Sequence, residues 1–174
     1  MAQMRYGFTT PKGGAGGILD LAPYEINTFL NEENTGVTKH GVGVVVGSVP
    51  GTNVKLPAAG AKATDFLGVV VNNRTTERDL EGGIHIKNGA ALGVMRYGRV
   101  LVRLAADVEP TFGDAVYLIT SGDNAGCFTN DDEGNVAIKA KFVGGVDTAA
   151  AVAPIELYNQ AQEVIDLDEG GQTE

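Results

Sequence analysis

The sequence predicts a mainly β protein, with a compact barrel or sandwich-like body and an extended N-terminal arm. The stretch Leu92–Thr120 holds two strongly β-forming runs on either side of a turn-rich connection. Glycine supplies 25 of the 174 residues, about twice its usual share of roughly 7%, which favours many turns and short strands over long helices. Short Val-rich runs closed by Gly or Asn recur along the chain, and regular spacing of short strands and turns is the pattern of sandwiches and barrels. A chain of this length reads as one domain that buries roughly two thirds of its unfolded surface without a staple.

Residues 1–20 read as the arm: Arg5, Tyr6, Phe8, Pro11 and Lys12 lead into Gly13-Gly14-Ala15-Gly16-Gly17, a hinge that cannot hold a helix. Asp20–Asn34 is ambiguous and is assigned as a connection, since Ile26, Phe29 and Leu30 fit a helical turn or two while Asn27 and Thr28 resist one. Val42–Val46 and Phe66–Val71 are expected strands, and Ala61–Asp65 a single helical turn between loops. Ile84-His85-Ile86-Lys87 alternates, so His85 is expected to face away from the two isoleucines.

In the central stretch, Val100, Val102 and Leu104 share one strand face, and Arg99, Leu101 and Arg103 the other. Pro110 and Gly113-Asp114 punctuate the turn before the second run, Ala115–Ile119. Gly126–Thr129 and Val136–Phe142 flank Asn130–Asn135 and are expected to form a hairpin with an acidic tip, with Val136, Ile138, Ala140 and Phe142 inward. Ile155–Tyr158 follows Pro154 and suits a sheet edge or a strand start. The body runs over 21–162, and 163–174 is an acidic, solvated tail.

Charge and reactive residues narrow the function. The net charge of −9 is uneven: +3 up to Ala106 and −12 from Asp107 onward. The acidic part repels phosphate, and the basic residues of the first part lack an interleaved stacking pattern, so no direct nucleic-acid partner is expected. With no apolar leader and no long apolar run, no membrane partner is expected, and the chain reads as soluble and intracellular. Cys127, the single cysteine, reads as a small half-buried hydrophobe. His40 and His85 are the only histidines and read as ordinary surface or hydrogen-bonded residues. Asp131, Asp132 and Glu133 lack the alternate ligand spacing of a calcium loop and read as a solvated turn. The glycine run lacks the Lys-Ser/Thr ending of a phosphate loop. We therefore assign no catalytic, cofactor-binding or metal-binding residue, and expect no enzyme and no cofactor.

The order of motifs resembles the structural cement, or head decoration, proteins of tailed bacteriophages. The matching stretches are Tyr6–Pro11, GVGVVVG at 41–47, FLGVVVNN at 66–73, LGVMRYGRVLVRL from Leu92 and GDAVYLI at 113–119, and the resemblance spans about residues 4–160. It implies a mostly β body with a projecting arm that fastens to the outer surface of a mature phage head across major capsid protein subunits. The implied partners are the major capsid protein and further copies of the chain, a trimer favoured over a dimer. The chain would be made in the host cytoplasm and reside on the virion. Two other classes are open: a trimeric β-barrel nucleotide hydrolase using the carboxylates of Asp131–Glu133, and a sugar-binding virion surface module. The absence of Trp, with only five Tyr, counts against the latter's aromatic platforms.

Overall fold

The computed structural model describes residues 13–72, 77–78, 84–148 and 150–158. Its strands are β1 (Glu25–Asn31), β2 (Gly43–Val46), β3 (Asn53–Lys55), β4 (Phe66–Val70), β5 (Glu77–Arg78), β6 (Ile84–His85), β7 (Ala91–Arg103), β8 (Ala115–Leu118), β9 (Phe128–Thr129), β10 (Val136–Phe142) and β11 (Val152–Leu157). The helical content among the described residues is two short 3-10 turns, Ala63–Asp65 and Gly122–Asn124. No helix of the described residues is long and apolar enough to cross a membrane.

Nine strands form one sheet in the order β1-β3-β2-β4-β7-β11-β10-β8-β9, while β5 and β6 pair separately. Because β1 also pairs with β7, the first five close into a barrel. Closure removes the unpaired edges that would otherwise template aggregation. The other half curls back: a parallel bridge joins Leu104 to Phe128, and the Ala105 amide donates to the Phe128 carbonyl at 3.2 Å.

β7, at 13 residues the longest strand, serves both halves. Its register against β1 slips where Ile26 pairs with Met95 and Glu25 with Tyr97, so Arg96 is an extra residue on β7. Such a bulge reverses which side chains face inward. Before it, Leu92 and Val94 pack inside the barrel with Phe29, Val44, Val54 and Val70. After it, Val100, Val102 and Leu104 join Phe128, Phe142 and Ile155 in a second core, lined on its barrel side by Phe66, Val69 and Met95. There Phe66 and Phe128 meet edge to face, ring centroids 6.5 Å apart.

Several expectations need correction. Asp20–Asn34 contains β1, whose Phe29 and Asn31 are buried; pairing with β7 and β3 overrides the weak local signal. Gly126–Thr129 and Val136–Phe142 do not form a hairpin, because β8 lies between them, with Tyr117 pairing with Thr129 on one side and Ala137 on the other. The expected inward faces of Val136, Ile138, Ala140 and Phe142 are nonetheless observed. Pro154 sits within β11, which is flanked by β7 and β10 and is not an edge. Its carbonyl accepts from the Val143 amide, just past the end of β10, so the donor that proline lacks would also have fallen there.

Candidate docking surfaces

The predicted arm residues Arg5, Tyr6, Phe8, Pro11 and Lys12 lie outside the described residues. The segment that follows them is not a free hinge. The Gly16 amide donates to the Leu101 carbonyl at 2.7 Å, Leu101 returns a bond to Gly17 at 2.9 Å, and the Leu19 amide donates to the Arg99 carbonyl at 3.1 Å. Asn72 donates to the Gly16 carbonyl from the other side at 2.8 Å. Residues 13–19 thus form a root laid along the upper half of β7. Glycine is required where backbones meet most closely: a Cβ on Gly16, at φ 78°, would stand 2.7 Å from the Asn72 nitrogen. Leu101, on the strand face away from the second core, is only 1% exposed, and a Cβ on Gly13 or Gly17 would stand 3.3 or 3.5 Å from its Cδ1.

Below the root, Arg99 is held between Asp20 at 3.1 Å and Glu156 at 3.3 Å. The hydrogen bond it donates to Asp20 and the charge of Glu156 raise its already high pKa. These are surface pairs and position the root more than they stabilise the fold. Leu21, 97% exposed, and Tyr24, about half exposed, follow. Tyr24 rests on Gly98, where a Cβ would come within 2.6 Å of the tyrosine Cβ. Tyr97 and Tyr158 are exposed at the same end, since Leu157 pairs with Gly98. Sequence reasoning misses this end of the body; its signal is an aromatic residue beside a strand glycine, Tyr97-Gly98.

The residues weighed for chemistry are scattered. Both imidazole nitrogens of His40 are buried without a hydrogen-bond partner, and burial, with help from Arg103, holds its pKa below the usual histidine value. Its carbonyl accepts from Arg103 Nε at 2.9 Å, and the next residue, Gly41, touches Ala15 and Gly16 of the root. Burial pushes the Cys127 thiol up, away from the reactive thiolate. His85 lies on β6, in the separate β5–β6 pair, where a Cβ on Gly36 would stand 3.0 Å from its Nδ1. Asp131–Glu133 folds on itself: the Glu133 amide donates to Asp131 Oδ1 at 3.1 Å, and Asn135 Nδ2 donates to the carbonyls of Asp131 and Glu133. Among the described residues no group of three His, Cys, Asp or Glu could hold a metal ion.

A closed β body with a braced terminal root and exposed apolar side chains defines a protein that works by its surfaces. The profile of the structural cement protein family (E217 gp24/Pam3 gp6) matches residues 2–158, and the chain belongs to that family. It is a structural protein of the phage capsid, with a decorating, cementing role. Its fold is similar to that of a chain from "The capsid of Myoviridae Phage XM1", at 19% identity and a TM-score of 0.67, over 87% of this chain and 94% of the other. No curated protein sequence matches.

Proposed function

We propose that the chain fastens to the outer surface of the expanded phage shell across boundaries between major capsid protein subunits. In this reading Arg5, Tyr6, Phe8, Pro11 and Lys12 are the docking residues. It acts as a homo-oligomer, a trimer favoured over a dimer, and is made in the host cytoplasm. The observation that carries the reading is the root: main-chain hydrogen bonds from residues 16–19 to Arg99 and Leu101 of the longest strand give a docked arm a fixed base on the body.

The energetics fit. A protein that binds the expanded lattice but not separate subunits stabilises that lattice by mass action. Ordering an arm costs about 1 to 2 kcal/mol per residue in backbone entropy, which apolar burial and strand-like hydrogen bonding must offset. Several arms on one oligomer then combine modest contacts by avidity. Deleting residues 2–12 is expected to leave the circular dichroism spectrum unchanged and to weaken greatly the co-sedimentation with undecorated expanded heads. Full-strength binding by the truncated chain refutes the arm as the docking element. Sedimentation equilibrium tests the oligomer, and a monomer at micromolar concentration removes it.

A further inference from the structure

We propose that copies of the chain pack against one another through the tyrosine-rich end of the body, which rests on the homo-oligomeric reading of the protein and gives that oligomer its surface. Three of the chain's five tyrosines, Tyr24, Tyr97 and Tyr158, are exposed at this end, with Leu21 among them. Gly98 pairs with Leu157 and Arg99 with Glu156, so the next step of the same antiparallel register sets Tyr97 beside Tyr158. The bulge at Arg96 turns Tyr97 to the outer face of the sheet, and Gly98 after it leaves room for Tyr24.

The patch has the size and stiffness of an interface. Leu19, Leu21, Tyr24, Tyr97 and Tyr158 are 37, 97, 48, 39 and 41% exposed. At roughly 200 Å² for a large side chain that is about 500 Å² of mostly apolar surface, toward the upper end of what a monomer displays. A stable interface buries about 800 Å² per partner, which this patch and its polar rim together supply. The backbone beneath it is already fixed: the Leu19 amide donates to the Arg99 carbonyl, the Ala22 amide to Asp20 Oδ1 at 3.0 Å, and the Tyr158 amide to the Lys139 carbonyl at 2.9 Å. Side chains on a fixed backbone lose less entropy when they are covered. Tyrosine suits the place because its ring is buried while its hydroxyl stays wet.

Charge selects a second copy as the occupant. Around the patch Arg99 bridges Asp20 and Glu156, and Arg96 stands 3.8 Å from Glu25. Lys139 and Lys141 face outward on β10, Lys141 opposite Glu156. A rim of nearly balanced, mixed sign can meet a copy of itself, each base finding an acid across the boundary. The end that carries the exposed ring of Phe112 cannot: residues 104–135 hold seven acidic side chains and no Lys or Arg, and two such ends repel. In a chain of net charge −9 the tyrosine end is the apolar surface that a second copy can approach.

The test is sedimentation equilibrium of the full chain and of two variants, Leu21→Asp and Tyr97→Ser, with Phe112→Ser as the control at the other exposed ring. Leu21 is almost wholly exposed in a single copy, so its replacement leaves the fold intact, and thermal melts check every variant. The native chain is expected to associate at micromolar concentration. Leu21→Asp is expected to raise the dissociation constant on the order of a hundredfold, because it puts a carboxylate into an apolar contact, and Tyr97→Ser on the order of tenfold. Phe112→Ser leaves it unchanged. A native oligomer whose strength neither variant alters overturns the assignment of this surface while leaving the homo-oligomer in place, whereas a native monomer removes both. Leu21→Asp oligomers of native strength that no longer co-sediment with expanded heads overturn it too, and give the tyrosine end to the shell.

Discussion

Leu101→Ala tests the root most directly. Leu101 is 1% exposed, yet its cover is unusual: Gly13 and Gly17, where Cβ atoms would lie 3.3 and 3.5 Å from its Cδ1, and Pro154, its pair on β11. Truncating a buried leucine costs about 2 to 5 kcal/mol, depending on how well the site collapses. Here two glycine backbones of a short segment can settle into the space, so the expected loss is near the lower end, about 2 to 3 kcal/mol. For a protein of this size that lowers Tm by roughly 5 to 10 °C. Urea titration should show a lower midpoint at an unchanged slope, because the surface exposed on unfolding hardly differs. Co-sedimentation with expanded heads should weaken as well, since the arm loses its fixed base. A loss below about 1 kcal/mol with native proteolytic resistance at residues 13–19 would refute the idea that Leu101 holds the root.

Gly68 has φ 156°, and a Cβ there would run into the Met95 carbonyl oxygen, so Gly68→Ala forces β4 away from β7 and should cost more than about 3 kcal/mol, read as failure to form the native barrel by circular dichroism and thermal melt. His40 tests acid sensitivity. Its folded pKa lies below the ordinary 6.5, so the fold favours the neutral ring; this contribution is present above about pH 6.5 and is lost as pH falls through that value toward the folded pKa. Urea midpoints at pH 7.5 and 5.5 should therefore separate less in His40→Gln than in the native chain, and equal separations would show that His40 is not the sensor.

The resemblance to cement proteins is legible in the residues themselves, in Gly41–Gly47, Phe66–Asn73 and Leu92–Leu104, and the family match over residues 2–158 supports it. These are glycine-punctuated apolar runs, and their glycines are needed because close backbone approach at positions such as Gly68 leaves no room for a side chain. The surfaces are less legible. Nothing in Gly13–Gly17 distinguishes a loose hinge from a segment hydrogen-bonded along β7, because glycine permits both and carries no side chain to record which applies.

The sequence by itself determined that the chain is β, where most strands lie and which way side chains alternate, because period-two patterning and turn residues are local. Val136, Ile138, Ala140 and Phe142 face inward as their spacing requires. Only the tertiary structure decided which strands are neighbours. β8 came between β9 and β10 although the chain runs directly from one to the other, and β1 became a strand because β7 and β3 were there to pair with it. Pairing is a long-range choice among surfaces of similar hydrophobicity, settled by closing the barrel and filling two cores at once. No window of sequence contains that competition.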